Sequence, residues 1–275
     1  MIKIKVNGKK AEWDETKPLL TKGTSSHKII KSEKYKDGMY STMVLHLAPA
    51  KISGYNVCPK ASKGCKKVCL NKSGQGGMFQ NGSLETSTIH IARVGRTTLL
   101  KTNKPLFFRK LKNEIEAFLI KCESNNSKPC MRLNGTSDLH WSKILDPDTG
   151  KNLMDLFPQI QFYDYTKDLS QLENTPKNYF LTFSHAENNF LDILQALELG
   201  FNIAVPFDKK IGLPKEYLGL PVFNADDTDL RFLDNELSGH NQPIISGLLE
   251  KGYLAMRDKS GFIVRDHKIE VKAAA

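Results

Sequence analysis

The pattern of apolar and polar residues predicts strands that alternate with helices from about residue 42 onwards. Helical periodicity occurs at 84–100, from Pro105 to about Leu119, and at 189–199, where Gly200 ends the pattern. Between these helices lie short apolar runs of strand type, at 42–47, 130–133, 160–163, 179–183, 202–205 and 220–223. Alternating strands and helices form parallel sheets. The chain is therefore predicted to be an α/β protein whose sheet is either open or closed into a barrel.

Both ends of the chain carry alternating runs of the kind found in β-hairpins. Residues 1–13 alternate on either side of Asn7-Gly8, a dipeptide that favours the type I′ turn. A second hairpin is expected around Lys259-Ser260-Gly261, and residues 15–40 are predicted to be irregular. We therefore divide the chain into an N-terminal hairpin with a basic irregular segment (1–40), an α/β core with the cysteine loop (41–240) and a C-terminal hairpin extension (241–272).

Charge is distributed unevenly along a chain of otherwise ordinary composition, with 40% hydrophobic and 25% charged residues. Residues 1–130 carry 25 Lys and Arg against 9 Asp and Glu, a net of +16, whereas residues 131–275 carry 15 against 21, a net of −6. This asymmetry favours a nucleotide or nucleic acid partner, with a solvated basic surface as the alternative. No apolar run has the length of a membrane span or a signal peptide, so we expect a cytoplasmic protein without a membrane partner.

Three of the five cysteines, Cys58, Cys65 and Cys69, form a C-x6-C-x3-C motif between a predicted strand and a predicted helix. Thiolates are soft ligands that suit zinc or an iron–sulfur cluster. Structural zinc takes four protein ligands. The fourth would have to come from His46, His90, Cys122 or Cys130. A cluster with three cysteines instead leaves one iron open to a ligand, and we predict this arrangement, with zinc or no metal as alternatives. Four lysines would offset the negative charge of such a centre: Lys60, Lys63, Lys66 and Lys67.

The cysteine loop, followed by about five β/α units, resembles the radical S-adenosylmethionine (radical SAM) superfamily. The chain is also similar to a group of bacteriophage proteins in this loop and in the blocks 132–138 and 163–167, and the resemblance covers roughly residues 42–235. The motif departs from the superfamily spacing C-x3-C-x2-C. Val68 also stands where an aromatic residue usually precedes the last cysteine.

The resemblance implies a partial (β/α)6 TIM-like barrel in which the three cysteines hold a [4Fe–4S] cluster. It further implies that S-adenosylmethionine binds the open iron and that an external electron donor drives its cleavage to methionine and a 5′-deoxyadenosyl radical. A phage-encoded chain would work in the host cytoplasm.

Polar residues follow several predicted strands, at the end where parallel barrels place their sites. Tyr165, Lys167 and His185 are candidate catalytic residues, because they could stack on a base, bind a carboxylate or phosphate, and exchange a proton. We assign cofactor binding to Asn134, Gly135, Thr136, Ser137, Asp138 and Ser184. The carboxylates of 226–229 could bind a divalent cation or ribose hydroxyls.

Each of these polar clusters also has a structural interpretation. Ser137 or Asp138 could cap a helix, the tyrosines could line the end of a barrel, and His185 could be structural. The 226–229 carboxylates could pair with Arg231. Three functions remain open: a radical SAM-like enzyme acting on a nucleotide or nucleic acid, a non-enzymatic nucleic-acid-binding protein stabilised by zinc or a cluster, and a protein with a structural or redox cluster that does not use S-adenosylmethionine.

Overall fold

A computed structural model describes residues 1–23, 30, 39–72 and 87–266 of the chain. Its strands form a two-stranded sheet and a nine-stranded sheet. The strands are β1 (Ile2–Val6), β2 (Lys9–Trp13), β3 (Leu20–Lys22), β4 (Tyr40–Leu45), β5 (Lys128–Arg132), β6 (Gln161–Thr166), β7 (Tyr179–Ser184), β8 (Ile203–Phe207), β9 (Glu216–Tyr217), β10 (Leu220–Asn224) and β11 (Ile245–Leu249).

Helices of very different lengths connect these strands. The α-helices are α1 (Lys63–Lys67), α2 (Thr88–Thr102), α3 (Lys104–Ser124), α4 (Leu153–Leu156), α5 (Phe190–Glu198), α6 (Asp234–Ser238) and α7 (Tyr253–Met256). Short 3-10 helices lie at Leu70–Lys72, Trp141–Lys143, Leu169–Gln171 and Arg231–Leu233. Among the helices described, none combines the length and the apolar composition that crossing a bilayer requires.

The large sheet is mostly parallel, with the strand order β3-β4-β5-β6-β7-β8-β11-β10-β9. Only its edge strands, β3 and β9, pair antiparallel with their neighbours. Strands β4 to β8 follow one another both in the chain and in the sheet, so right-handed crossovers place their connections on one face. Within the described residues the two edges do not pair with each other. The α/β prediction is therefore confirmed, whereas the TIM-like barrel is not.

Both faces of the sheet are covered, and β6 shows how the alternation of its side chains achieves this. Phe162 belongs to the main hydrophobic core, together with Phe107 and Leu111 of α3. Its neighbour Tyr163 points to the other face, into a second cluster that contains Leu230 and Leu233. The segment around 230–238 therefore fills one face near the start of the strands, while the long helices cover the other face.

Helix α3 forms where the sequence carries both a start signal and an apolar stripe. The Asn103 side chain accepts a hydrogen bond from the Leu106 N–H at 3.2 Å, and a proline occupies the first turn. The residues buried against the sheet recur at helical spacing: Phe107, Phe108, Leu111, Ile115, Phe118 and Cys122. The helix predicted from Pro105 is thus confirmed.

The predicted N-terminal hairpin is confirmed as β1 and β2. Asn7 and Gly8 have φ angles of 54° and 88°, the left-handed pair that a type I′ turn needs. Trp13 is only 2% exposed and packs on α2 at Gly95, where an added Cβ would lie 2.1 Å from the indole. The hairpin is thus held against the long helices.

The predicted C-terminal hairpin is wrong. Residues 253–256 form helix α7, and Val264 makes a parallel bridge to Phe207 at the end of β8. The chain cannot turn back on itself there because its backbone donors and acceptors are used by β8 and by local turns: the Val264 N–H donates to the Pro206 carbonyl and the Asp208 N–H to the Val264 carbonyl.

All six predicted strands are present, but β11 was not predicted. Gly247 interrupts its apolar pattern, and an added Cβ there would lie 2.7 Å from Val222 Cγ1 of β10. Within the segment predicted to be irregular, residues 20–22 form β3, while 24–29 and 31–38 lie outside the described residues. Residues 84–86 of the predicted helix 84–100 also lie outside them. The division of the chain at residues 40 and 240 stays a prediction.

Candidate functional site

A cavity of about 440 Å³ lies where the parallel strands end, and it is lined by the three cysteines of the motif and by all nine residues assigned to catalysis or cofactor binding. Pockets of this size hold small-molecule cofactors. The structure brings together residues that are up to 127 positions apart in the chain, because the carboxyl ends of parallel strands meet at one edge. These lining residues are Cys58, Cys65, Cys69, Asn134, Gly135, Thr136, Ser137, Asp138, Tyr165, Lys167, Ser184 and His185. Their chemical roles stay predictions.

The cysteine loop forms one wall of the cavity. Cys58 is anchored through its N–H, which donates to Asn56 Oδ1 at 3.1 Å, and its sulfur accepts a hydrogen bond from the Ala50 N–H at 3.3 Å. Burial is the largest cause that raises the pKa of the Cys58 thiol to about 12, and Cys69 and Cys65 act in the same direction. The Cys58 thiol is therefore protonated at neutral pH, and a metal bound there would have to displace its proton.

Helix α1 carries Cys65 and is held from across the cavity. Ser62 caps the helix by accepting a hydrogen bond from the Cys65 N–H at 3.0 Å. The Glu187 carboxylate accepts hydrogen bonds from Ser62 Oγ at 2.6 Å and from the Gly64 N–H at 2.7 Å. A Cβ at Gly64 would lie 2.4 Å from Ser260 Oγ, so this loop fits closely against both the turn after β7 and the C-terminal segment.

The loop 134–138 is fixed by its own polar side chains. Asn134 Oδ1 accepts hydrogen bonds from Ser137 Oγ, the Leu139 N–H and Trp141 Nε1. No helix begins at Ser137 or Asp138, so the helix-capping interpretation of these two residues is wrong. Asp138 instead accepts hydrogen bonds from Thr166 Oγ1, Lys167 N–H and Gln171 Nε2. Burial raises its pKa, partly offset by these donors.

Arg132 also lines the cavity, although the sequence analysis did not name it as a site residue. Its guanidinium binds Asp229 at 2.9 Å and lies 5.7 Å and 5.1 Å from the ring centres of Tyr163 and Tyr165. The available signal was a basic residue within the otherwise apolar run 130–133. Asp229 pairs with Arg132 and Asp226 with Lys251 at 2.8 Å, whereas the ion pair of Arg231 is with Asp234 at 3.2 Å.

The candidate catalytic residues differ in how freely they face the cavity. His185 Nε2 lies 3.2 Å from the Gly261 carbonyl oxygen, and burial lowers its pKa. Lys167 Nζ lies 5.5 Å from the centre of the Phe262 ring and, within the described residues, makes no ion pair. Tyr165 is partly exposed and packs against Arg132. Lys167 is thus the candidate whose charge is most available to a bound anion.

Only one of the four suggested fourth ligands, His46, lines the cavity. Burial lowers its pKa to about 3, so the ring is neutral, and its buried Nδ1 has no hydrogen-bond partner within the described residues. Cys122 and Cys130 are buried elsewhere, in the hydrophobic clusters of α3 and of the sheet. His90 hydrogen-bonds Ser87 Oγ through Nδ1 at 2.9 Å.

Within the part of the chain that the structure describes, no three His, Cys, Asp or Glu side chains are grouped as a single metal ion requires. Three thiols, which are soft donors of the type that zinc and iron–sulfur clusters take, line one wall of the cavity, and the group that they would hold stays a prediction.

The comparisons with known proteins identify a family for this chain. No curated protein and no solved structure matches the chain. The family model described as gene product 88 matches residues 18–266, which agrees with the resemblance to bacteriophage proteins and gives no support to radical SAM membership. Because the match extends over most of the sequence, the chain belongs to the gene product 88 family.

Proposed function

We propose that this protein is an iron–sulfur enzyme whose [4Fe–4S] cluster is held by Cys58, Cys65 and Cys69. The observation that carries the proposal is that these cysteines share one cavity with the nine residues, eight of them polar, that were predicted at the strand ends. Such convergence is what an enzyme of the parallel α/β class needs at the carboxyl edge of its sheet. On this proposal β4 to β8 and β11 are the six strands of a partial (β/α)6 barrel.

S-adenosylmethionine is the proposed ligand of the cavity, from the radical SAM resemblance. When bound, the cluster would supply an open iron for this ligand and an electron received from an external donor. The chain's own residues would bind and orient it. Tyr165 offers an aromatic face for a base, Lys167 offers a positive charge for a carboxylate or phosphate, and Ser184 offers a hydroxyl. His185, whose pKa is lowered by burial, is available as a neutral base.

The cavity also limits access of water to the cysteines. Val68, Ile263 and Phe262 line it beside them, and Ile263 is only 4% exposed. Solvent exclusion protects a cluster and the reactive species formed near it. The C-terminal segment thus forms one wall of the cavity. It does not form the separate hairpin expected from the sequence.

The decisive experiment is anaerobic purification of the wild-type protein and of single Cys→Ser variants, with metal analysis and a visible spectrum. We expect broad absorbance and bound iron in the wild type, and loss of both in Cys58→Ser, Cys65→Ser and Cys69→Ser. Cys122→Ser is the matched control, because this cysteine is buried outside the cavity. It should keep its iron.

The same experiment separates the proposal from its rivals. One zinc per chain without colour would favour the metal-stabilised, non-enzymatic nucleic-acid-binding protein. A cluster that forms normally, but yields no 5′-deoxyadenosine with S-adenosylmethionine and reductant, would favour a structural or redox cluster. Iron content that is unchanged in all three cysteine variants would contradict the proposal itself.

A nucleotide or nucleic acid is the proposed substrate class, and the surface of the cysteine loop favours it. Four lysines of this loop are exposed and, in the described part of the chain, form no ion pair: Lys60, Lys63, Lys66 and Lys67. We call them the lysine face. Lys66 directly follows Cys65, which lines the cavity, so a phosphate backbone bound there would be next to the cavity. For a phage-encoded enzyme, the proposed compartment is the host cytoplasm.

A further inference from the structure

Helix α7 exposes three large apolar side chains beside the cavity. Tyr253, Leu254 and Met256 are 57%, 38% and 53% exposed, whereas Ala255 among them is 3% exposed and lines the cavity. Single exposed apolar residues are ordinary on a protein surface, but a contiguous group of them marks an interaction site. Since a helix is about 10 Å across, a ligand bound to the outer side of α7 would lie close to the cavity.

Arg257 holds the ring of Tyr253 in place. Its guanidinium carbon lies 4.1 Å from the centre of the ring, and the two residues are about one helical turn apart. Tyr253 stays exposed despite this contact. The other cation–π pairs within the described residues use rings that are buried or half-buried, such as those of Phe108 and Tyr165. Helix α7 thus combines a cation with an aromatic ring that remains open to solvent.

The exposed charges of residues 251–263 are all positive. They belong to three side chains: Lys251, Arg257 and Lys259. The first of these pairs with Asp226 at 2.8 Å, and the other two form no ion pair within the described part of the chain. The only acidic residue of this stretch, Asp258, is 1% exposed and accepts a hydrogen bond from Ser260 Oγ at 2.8 Å. The stretch therefore presents positive charge, although residues 131–275 as a whole carry a net charge of −6.

This stretch is in direct contact with the cysteine loop. A Cβ at Gly64 would lie 2.4 Å from Ser260 Oγ and 2.7 Å from Phe262 Cβ. Lys63 of the lysine face precedes Gly64, and Lys259 precedes Ser260. Positive charges from two distant parts of the chain are therefore neighbours beside the cavity, and a strand of phosphates bound to the lysine face could continue onto α7.

We propose that Tyr253 and Arg257 form a stacking platform for an unpaired base of single-stranded nucleic acid, with Lys259 binding a phosphate. The inference rests on the nucleic-acid substrate class of the proposed function. Single-strand-binding proteins combine positive charge with aromatic rings on which bases stack, and arginine adds a cation–π contribution. An anionic membrane also attracts apolar and basic groups, but it takes up the long apolar face of an amphipathic helix, whereas α7 has four residues.

The test measures binding of a single-stranded oligonucleotide that contains the fluorescent base 2-aminopurine, whose emission is quenched by stacking. Tyr253→Ala should weaken binding by about 5- to 100-fold, as loss of one stacked base does, and should relieve the quenching. Tyr253→Phe keeps the ring and should keep both properties. Phe190→Ala is the matched control, because it removes a 43% exposed ring from α5, outside the cavity. It should change neither.

Lys259→Gln tests the phosphate contact separately. It should lower the slope of log affinity against log salt by about 0.7 without relieving the quenching at saturation. Unchanged affinity and quenching in Tyr253→Ala, with a wild type that binds, would overturn the inference. Tyr253→Ala that loses co-sedimentation with phosphatidylserine vesicles but binds the oligonucleotide normally would identify a membrane as the partner and also overturn it. A wild type that does not bind the oligonucleotide would instead overturn the proposed substrate class.

Discussion

The Glu187 carboxylate accepts a hydrogen bond from the Gly64 backbone N–H at 2.7 Å, which joins the turn after β7 to the cysteine loop. The two residues are 123 positions apart in the chain. The same carboxylate also receives the Ser62 hydroxyl, so one acidic side chain satisfies two donors at the start of α1. Cys65 is therefore positioned by a contact between loops as well as by its own local sequence.

Replacing Glu187 by alanine should loosen the cysteine loop. We expect the free energy of unfolding to fall by about 1–3 kcal/mol, because hydrogen bonds to a charged group are lost and their donors stay partly buried. Iron retention during gel filtration should fall as well. Glu198→Ala, at an exposed position of α5, is the matched control and should change neither quantity. Normal iron retention in Glu187→Ala would show that the loop holds its shape without this contact.

The same contact predicts a dependence on pH. Burial alone would raise the pKa of Glu187, but the hydrogen bonds from Ser62 and Gly64 outweigh it and lower the pKa below its usual 4.5. The stabilisation is therefore complete above pH 4.5 and is lost as the pH falls through the lowered value. The difference in unfolding free energy between wild type and Glu187→Gln should shrink as the solution is acidified below pH 4.5. A constant difference would contradict this explanation.

Asp164 should contribute to stability with a pH dependence opposite to that of Glu187. Burial raises its pKa from 3.8 to about 7, although it accepts hydrogen bonds from the Leu133 and Asn134 N–H groups and from Tyr179. Because the folded state holds this proton more tightly, the contribution to stability is present below pH 3.8 and is lost as the pH rises towards 7. The stability of the wild type relative to Asp164→Asn should thus decrease between pH 4 and 7 in urea titrations.

Asp192→Asn is the matched control for this measurement, because it makes the same change at a residue of α5 that is not buried. Its stability relative to the wild type should not follow the same curve. If Asp164→Asn and the wild type have parallel pH profiles between pH 4 and 7, the carboxyl group of Asp164 titrates at its ordinary value and burial does not dominate its environment.

Gly135 should not tolerate a side chain. An added Cβ would lie 2.5 Å from Val44 Cγ1 and 2.6 Å from His46 Nδ1, in a loop that is also tied to β4 through the Leu45 carbonyl. We expect Gly135→Ala to cost about 1–3 kcal/mol in unfolding free energy, as overpacking usually does. If the clash with Val44 is the cause, adding Val44→Ala should cost less in this variant than in the wild type. Strict additivity of the two changes would contradict the clash.

The lysine face should govern binding to nucleic acid if that is the substrate class. Changing Lys60, Lys63, Lys66 and Lys67 to glutamine should weaken binding of a fluorescent single-stranded oligonucleotide. The slope of log affinity against log salt should fall by roughly 3, at about 0.7 per phosphate contact. The matched control removes four other exposed lysines in the N-terminal region: Lys3, Lys5, Lys10 and Lys17. An equal effect in the control would show that only overall charge matters.

Local signals were sufficient for most of the secondary structure. The Asn7-Gly8 turn and the start of α3 at Asn103 and Pro105 depend on backbone preferences that act over a few residues, so the sequence predicted them. Strand β11 and helix α7 were missed or misassigned because their conformation depends on distant partners. Gly247 is required by the closeness of β10, and the chain around Val264 pairs with Phe207 of β8.

The sequence by itself determined which residues would end near one another, because polar groups that follow parallel strands must gather at one edge of the sheet. That was enough to bring the residues assigned to catalysis and cofactor binding together in one cavity. Only the tertiary structure decided which of these side chains are already hydrogen-bonded within the protein, as Asp138 is, and which other side chains join them, as Arg132 does. Hydrogen bonding, burial and charge pairing depend on neighbours far apart in the chain, and no local pattern encodes them.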